Sequence, residues 1–244
     1  MKLKNKTAVI TGASTGIGRA IAVKLASEGA KTILLARSKD GLEKTLKLVE
    51  QAGGEGKIFC VDLRSVDEIK KFAQNIKESE DEIDILVNVA GIWHSKEKAF
   101  SGIEFADYST DEILDTYAVG LTAPTILSHE LVPSMKQGSK IINISGTFEG
   151  GAKGWLPYFV SKKTIEDLTV ALSHELRNQQ IQVNCISPSD VATEAYKKFF
   201  PEDATPDNAL QPEDVASLTL FLASKEADHI TGQIIVIKQK NVKN

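Results

Sequence analysis

The stretch TAVITGASTGIG (residues 7–18) decides the fold, since it joins a strand, a turn and the start of a helix. Its first five residues form an apolar run that predicts a short buried strand. Gly12, Gly16 and Gly18 let the backbone turn tightly and approach a ligand closely. Apolar residues at helical spacing follow the turn: Ile21, Ala22, Leu25 and Ala26. Strand, glycine turn and helix in this order predict the first unit of an α/β sheet.

The rest of the chain repeats this alternation of apolar runs and amphipathic stretches. Six more strands are predicted, at residues 31–36, 57–62, 83–88, 140–145, 181–187 and 232–237. Near-continuous apolar runs are typical of a parallel sheet that is covered on both faces. We therefore predict one α/β domain over residues 1–244, a Rossmann-type doubly wound sandwich of about seven parallel strands flanked by helices. Ligands of such sheets bind at the carboxyl ends of the strands.

Composition narrows the classes of function. The 244 residues carry a net charge of −4, which gives no footprint for nucleic acid or for an anionic membrane. The basic start lacks an apolar run of signal-peptide length, and we expect a cytoplasmic protein. Cys60 and Cys185 are predicted to be buried free thiols in a reducing compartment. The four histidines match no metal-ligand spacing, and no metal site is predicted.

The heptapeptide PYFVSKK (residues 157–163) places a tyrosine and a lysine four residues apart. On a helix, Tyr158 and Lys162 would share one face, with Cβ atoms roughly 5–6 Å apart. A cationic lysine at that distance favours the phenolate and so lowers the pKa of the tyrosine, which could then act as a general acid or base. Alone the pair is weak, because a half-buried aromatic beside a solvated lysine is common on helix surfaces.

Four motifs in register remove that ambiguity. They are TGASTGIG; NVAG (Asn88–Gly91); Tyr158-x-x-x-Lys162; and PSDVAT (Pro188–Thr193). Over nearly its whole length the sequence resembles the classical short-chain dehydrogenase/reductase (SDR) family, in which the second and fourth motifs read Asn-Asn-Ala-Gly and Pro-Gly-x-x-x-Thr. The resemblance implies an oxidoreductase that transfers a hydride between a nicotinamide cofactor and a small alcohol or carbonyl substrate. It also implies a homotetramer or homodimer.

The same resemblance implies a set of cofactor-binding residues: Gly12, Ser14, Thr15, Gly16, Ile17, Gly18, Arg37, Asp62, Leu63, Asn88, Ala90, Gly91, Tyr158, Lys162, Pro188, Val191 and Thr193. At the end of the second strand Ala36 stands where many dinucleotide folds have an acid, and Arg37 follows. A guanidinium can bind a 2′-phosphate, so Arg37 favours NADP(H) over NAD(H) as the cofactor. Against this, family members that prefer NADP often have a basic residue where this chain has Thr15. Asp62 could instead be a turn acid that caps the next helix.

The third catalytic residue is harder to place. Family members carry a serine that positions the substrate oxygen, most often thirteen residues before the tyrosine, and that count selects Ser145. Alignment on the strand instead puts Gly146 in the catalytic slot. Gly120 stands where the family has an asparagine, and the tail IKQKNVKN replaces the usual Asp-Gly-Gly. These departures leave an alternative open, a cofactor-binding sensor or assembly protein with weak or no turnover.

Aromatic residues are concentrated in the segments that should form the substrate side. They are Trp93, Trp155, Tyr196, Phe199 and Phe200. They suit a partly apolar alcohol or ketone, and they suit equally well the packing of loops or subunits. The sequence does not choose between these two roles.

Overall fold

Seven parallel strands form one sheet in the order β3-β2-β1-β4-β5-β6-β7. The computed structural model describes residues 1–80, 82–148 and 153–239. The strands are β1 (Thr7–Thr11), β2 (Lys31–Ala36), β3 (Glu55–Cys60), β4 (Ile85–Asn88), β5 (Lys140–Ile144), β6 (Gln182–Pro188) and β7 (Ile234–Ile237). The predicted seven-stranded, doubly wound sheet is confirmed, with strand ends shifted by one or two residues. The last residues of the unusual tail, 240–244, lie outside the described part of the chain.

Helices cover both faces of the sheet. They are α1 (Gly16–Ser27), α2 (Lys39–Gln51), α3 (Val66–Ser79), α4 (Thr110–Tyr117), α5 (Ala123–Leu131), α6 (Leu156–Glu175), α7 (Glu194–Phe199) and α8 (Pro212–Ala223). A π-helical turn, Ala118–Thr122, joins α4 to α5. One apolar core lies under α1, α2 and α8, and the other lies under α3 and α5. Among the described residues, no helix has the length and apolar character that a membrane crossing requires.

The strand order places the site. β1 pairs with β2 on one side and with β4 on the other, so the direction of the winding reverses at β1. A crevice opens at the carboxyl ends of the strands where this reversal occurs. The glycine turn follows β1 directly, which puts it in that crevice.

The prediction for Cys60 is wrong, because its side chain is exposed, whereas Cys185 is buried as expected. β3 is an edge strand with an alternating pattern of exposure, and Cys60 ends it. A single apolar run could not show that this strand lies at the edge.

Candidate active site

A cavity of about 900 Å³ opens at the carboxyl ends of the central strands. It is large enough for a dinucleotide and a small substrate, as ligand sites commonly span roughly 300–1,000 Å³. Most of the predicted site residues line it: Gly12, Ser14, Thr15, Gly16, Ile17, Gly18, Arg37, Asp62, Leu63, Ala90, Gly91, Ser145, Tyr158, Lys162 and Thr193. The fold thus brings together four motifs that are far apart in the sequence.

Three predicted cofactor residues lie behind the cavity wall. Asn88 is buried in the sheet and donates from Nδ2 to Asn143 Oδ1 (2.9 Å). Pro188 ends β6, and the buried Val191 forms an isolated bridge with Leu210. Any part that these three play in binding would therefore be indirect or through the backbone.

The glycine turn is held against the Asn88–Gly91 segment. Thr11 Oγ1 accepts hydrogen bonds from the backbone N–H groups of Val89 (2.9 Å) and Ala90 (3.1 Å). Gly12 has φ +65°, and a Cβ there would lie 3.1 Å from the Ala90 backbone. At Gly18 a Cβ would lie 2.3 Å from the Gly12 carbonyl oxygen, so no side chain fits. The glycines allow α1 to start close to the turn, with its N–H groups aimed into the crevice.

A carboxylate already lies at this helix N-terminus. Glu194, the first residue of α7, accepts hydrogen bonds from the Gly16 N–H (2.9 Å) and the Thr15 hydroxyl (2.8 Å). Arg19 donates to its other oxygen at 2.7 Å, and also to Thr45 Oγ1 and the Ser14 carbonyl. No local pattern in the sequence indicated this contact, which spans 178 positions of the chain.

Arg37 and Asp62 lie at the other end of the cavity. Arg37 is exposed and has no ion-pair partner among the described residues. Asp62 is bound by Arg64, which donates to both carboxylate oxygens (2.6–3.1 Å) and also to Asp115 (2.7 Å). These hydrogen bonds from Arg64 hold the pKa of Asp62 below its usual range. The cap of α3 is Ser65 rather than Asp62, so the capping role considered for Asp62 is absent.

Tyr158 and Lys162 face the cavity from one turn of α6. The Lys162 ammonium lies 5.4 Å from the centre of the Tyr158 ring and donates to the Ile144 carbonyl oxygen at 2.8 Å. A Cβ on Gly91 would lie 3.3 Å from Lys162 Nζ and 3.7 Å from the Tyr158 ring, so glycine leaves the pair accessible. The Asn88–Gly91 motif therefore meets the tyrosine–lysine motif directly.

The pKa of Tyr158 departs from expectation. Burial, aided by the negative charge of Asp190, raises it, whereas we expected Lys162 to lower it. Burial also lowers the pKa of Lys162 to about 8. Desolvation outweighs the attraction between the two groups, because the low-dielectric wall penalises both charged forms. At neutral pH the phenol keeps its proton and the lysine is mostly charged.

Ser145 reaches the cavity, but its hydroxyl is engaged elsewhere. Its Oγ donates to Glu166 Oε1 on α6 (2.9 Å), which also accepts from Ser187 Oγ (3.1 Å). Asn143, two residues earlier, likewise bonds to α6, so both side chains lie on the α6 face of β5. A Cβ on Gly146 would lie 3.8 Å from the Phe148 ring and 4.0 Å from the Pro188 carbonyl oxygen. Position 146 therefore has room for a serine.

Gly120 lies in the π-helical turn, where it packs against α6. A Cβ there would lie 2.7 Å from the Cβ of Ser161 and 2.8 Å from its hydroxyl. Ser161 immediately precedes Lys162, and its hydroxyl donates to the Tyr158 carbonyl oxygen at 2.7 Å. The glycine therefore permits close helix packing, which an asparagine at this position would prevent.

The aromatic residues form one connected cluster beside Tyr158. Trp93 stacks on Phe200 with ring centres 6.2 Å apart, and Trp155 lies 6.2 Å from Phe200 and 6.1 Å from Tyr158. Phe199 meets Trp93 edge-on at 6.0 Å. Loop-to-loop packing is thus observed, and Trp93 also lines the cavity.

Comparison with known proteins agrees with this geometry. The family model described as "Enoyl-(Acyl carrier protein) reductase" (adh_short_C2) matches residues 12–239. The chain belongs to the short-chain dehydrogenase/reductase family. Like its relatives in this SDR family, it is an oxidoreductase with a Rossmann-type fold for a nicotinamide cofactor.

Similar SDR proteins cover almost the whole chain. The uncharacterized oxidoreductase YxbG of Bacillus subtilis is 35% identical over 96% of this chain and 90% of its own. The 3-oxoacyl-[acyl-carrier-protein] reductase FabG of Thermotoga maritima is 31% identical, covering 97% and 98%. Among solved structures, the angucycline C-6 ketoreductase LanV with bound NADP has a TM-score of 0.87 at 26% identity, covering 99% and 97%.

The residues present fit the dinucleotide of the SDR family. The glycine turn leaves no room for side chains at Gly18, and the N-terminus of α1 already attracts an anionic group, the Glu194 carboxylate. Sequence reasoning missed Glu194, Arg19 and Glu166. Glu166 could have been found, as it lies one helical turn after Lys162 and so shares its face.

Proposed function

We propose that this protein is an NADP-dependent SDR enzyme that reduces a small carbonyl compound, with Tyr158 as general acid and Lys162 as its partner. One observation carries the proposal. The tyrosine and lysine lie one turn apart on α6 and line the same cavity as the glycine turn. A tyrosine and a lysine that met by chance on a helix surface would not be expected to line the same cavity as Gly91 and Gly16.

The cofactor, when bound, would supply a hydride to the carbonyl carbon. The glycine turn and the N-terminus of α1 would hold its diphosphate, Lys162 its nicotinamide ribose and Thr193 its carboxamide. Tyr158 donates its proton to the substrate oxygen, since its raised pKa keeps the phenol protonated at neutral pH. The charge of Lys162 stabilises the phenolate that forms. In alcohol oxidation the same phenolate takes the proton back.

Arg37 supports NADP(H) over NAD(H). It lines the cavity beside Ala36 and Ser38, with no carboxylate next to it in sequence and no ion-pair partner among the described residues. A free guanidinium is the group best suited to a phosphate, which it can contact through two hydrogen bonds. NAD(H) remains a possible second cofactor.

Ser145 stays our candidate for positioning the substrate oxygen, because it lines the cavity close to Tyr158 and Lys162. Its hydroxyl hydrogen is directed to Glu166, however, and a carbonyl oxygen needs a donor. Ser145 must therefore rotate away from Glu166 before it can help the substrate. We propose that its contribution is smaller than that of Tyr158.

The aromatic cluster supports a partly apolar ketone or alcohol as substrate. Trp155 lies beside Tyr158 and Trp93 lies beside Trp155, so both would pack on an apolar body next to the reacting oxygen. Named relatives act on diverse carbonyl compounds, from 3-oxoacyl-[acyl-carrier-protein] to an angucycline. Only the local aromatic surface, and not their names, supports this substrate class for the present chain.

We also propose a homotetramer or homodimer. Leu114 on α4, and Leu156 and Val160 on α6, are exposed apolar side chains on two helices that pack together. Burial of such side chains against a second copy would remove apolar area from water. The cytoplasmic location stays a prediction from the sequence, which cell fractionation tests.

A cofactor-binding protein with weak turnover is the second candidate. It is favoured by the hydrogen bond that engages Ser145 and by the absence of side chains at Gly146 and Gly120. Such a protein would bind NADP(H) normally and turn over no carbonyl compound in a broad panel. The presence of Tyr158 and Lys162 in the cavity argues against it.

The decisive experiment has two stages. Fluorescence titration with NADPH and NADH measures cofactor binding, and a panel of aldehydes and ketones is then screened for loss of NADPH absorbance. We expect tighter binding of NADPH and turnover of apolar ketones. Tyr158→Phe should keep cofactor affinity within about twofold and lower turnover at least a hundredfold, in line with the usual contribution of general acid catalysis. Near wild-type turnover by this variant would disprove the mechanism.

A further inference from the structure

Glu194 connects the glycine turn with the part of the chain that carries the aromatic cluster. It is the first residue of α7, which ends at Phe199. Phe199 and the following Phe200 belong to the aromatic cluster, and the Glu194 carboxylate lies on the glycine turn. Three groups donate to it: the Gly16 N–H, the Thr15 hydroxyl and the Arg19 guanidinium. All three lie in or just after the turn that a dinucleotide's diphosphate would approach.

The Glu194 carboxylate lies at the N-terminus of α1, a position that favours an anion. Gly16 is the first residue of α1, a helix of 12 residues whose first turn contains no acidic side chain of its own. A negative charge from elsewhere is therefore stabilised there by the free N–H groups and the helix dipole. Burial works to raise the pKa of Glu194, but hydrogen bonds from its own backbone and from Thr15, with the charge of Arg19, outweigh it. The carboxyl group is ionised at neutral pH.

Thr193, the residue before Glu194, also packs against Gly16. A Cβ on Gly16 would lie 2.9 Å from Thr193 Cγ2, so the start of α7 rests directly on the turn. The cap of α7 is the Thr193 side chain, which accepts from the Tyr196 N–H at 3.2 Å. Since α7 has this cap, its own stability does not require the long reach of Glu194 to the turn.

We propose that Glu194 sets the affinity for the cofactor by competing with its diphosphate for Gly16, Thr15 and Arg19. The inference rests on the proposed function, because it assumes that this turn binds a dinucleotide. Two anions cannot share these donors without repulsion, so binding of the cofactor displaces the Glu194 carboxylate from the turn, while Thr193 stays beside the cofactor. Loss of this tie loosens the rest of α7 with Phe199 and the following Phe200, which opens the aromatic cluster beside Tyr158 and admits substrate after cofactor.

The competition is expected to be moderate. The Glu194 side chain is 57% exposed, so water stabilises it well once it has left the turn. When only part of the population is open, the apparent dissociation constant is the intrinsic constant divided by the open fraction. If about one molecule in ten is open, removal of the competing charge tightens binding by about tenfold.

Two variants and a matched control test the proposal. Glu194→Gln removes the charge and keeps the shape, and Glu194→Ala also removes the hydrogen bonds to the turn. Glu202→Gln removes the same charge from an exposed residue eight positions further along. Titration of each with NADPH should show about tenfold tighter binding for both Glu194 variants and less than twofold change for Glu202→Gln.

The second measurement needs no cofactor. The chain has two tryptophans, Trp93 and Trp155, and both rings lie against Phe200. Quenching of their fluorescence by acrylamide therefore reports whether the α7 segment is closed. We expect greater quenching in both Glu194 variants than in the wild type, with Glu202→Gln unchanged.

The outcomes separate this proposal from the proposed function. If the wild type binds NADPH and the Glu194 variants bind it no tighter, the competition is disproved while the enzyme assignment stands. Unchanged tryptophan quenching in both variants overturns the link to the aromatic cluster. If no variant binds NADPH, NADH or inorganic diphosphate, both proposals fail together.

Discussion

At the residue scale, Lys162 is a cation placed where its charge is costly. It is buried, and its ammonium has a carbonyl oxygen and a phenol ring as neighbours. Burial therefore lowers its pKa to about 8, close to physiological pH. A modest rise in pH is enough to remove the charge that assists Tyr158.

The pH dependence of reduction follows from this value. Lys162 is protonated below its pKa, so the assisting charge is present at pH 7 and is lost as pH rises through about 8. We predict that kcat/KM for carbonyl reduction falls above roughly pH 8, towards a tenfold loss for each further unit. A pH profile from 6 to 10 at constant ionic strength measures it. A profile that stays flat to pH 9.5 would contradict the role of Lys162.

Arg37 provides a test of cofactor choice. Arg37→Ala is predicted to weaken NADPH binding by roughly 10–100-fold, the usual worth of a hydrogen-bonded charge pair, and to leave NADH binding within twofold. Lys39→Ala is the matched control, because it removes a positive charge two residues away that pairs with Glu43 and lies outside the cavity lining. An equal loss of affinity for NADPH and NADH would show that Arg37 does not contact the 2′-phosphate.

Positions 145 and 146 can be separated by a pair of substitutions. We predict that Ser145→Ala lowers turnover by only about tenfold, because the hydroxyl hydrogen is directed to Glu166. Gly146→Ser should raise turnover several-fold, since it adds a donor where a Cβ has ordinary contacts. Steady-state kinetics with one ketone checks both. A hundredfold loss in Ser145→Ala, with no gain in Gly146→Ser, would contradict the proposal that Ser145 contributes less than Tyr158.

At the element scale, Gly120 sets how closely the π-helical turn approaches α6. Ser161 fills the space that a side chain at 120 would need, and it lies between the two residues of the tyrosine–lysine pair. The helix that carries the proposed acid is thus supported by a glycine.

The packing predicts a loss of stability on substitution. Gly120→Ala should lower the free energy of unfolding by about 1–3 kcal/mol, because overpacking outweighs the better helix propensity of alanine. Gly146→Ala serves as control, since its Cβ would have only contacts of 3.8 Å and beyond. Urea denaturation measures both. Addition of Ser161→Gly should recover part of the loss, and an unchanged Gly120→Ala would refute the clash.

At the scale of the whole molecule, the exposed apolar residues of α4 and α6 form a separate surface from the cavity. Leu114 is 58% exposed, although it lies on a helix that packs against α6. Burial of these residues against a second copy of the chain would remove apolar area from water. Self-association gives them a physical reason.

Light scattering after size-exclusion chromatography tests the assembly. We predict that the wild type elutes as a dimer or tetramer and that Leu114→Glu shifts it to a smaller species, because a charge would be buried in the interface. Leu48→Glu, at an exposed site on α2, is the control and should leave the mass unchanged. A monomeric wild type would exclude the proposed oligomer.

The sequence by itself determined the strand–helix alternation, the glycine turn and the tyrosine–lysine spacing. These features are local, since hydrophobic periodicity and the conformational freedom of Gly12 act over a few neighbouring residues. Most of the residues that the family resemblance selects line one cavity, because motifs at strand ends meet wherever a parallel sheet winds in both directions.

Only the tertiary structure decided the contacts that depend on distant parts of the chain. Glu194 meets Gly16 across 178 positions, the Ser145 hydroxyl turns to Glu166, and Cys60 is exposed on an edge strand. The pKa of Tyr158 also depends on distant parts of the chain, because burial of the ring involves every element that surrounds it. Local pattern fixes which elements form, whereas desolvation and charge pairing arise only when those elements have packed together.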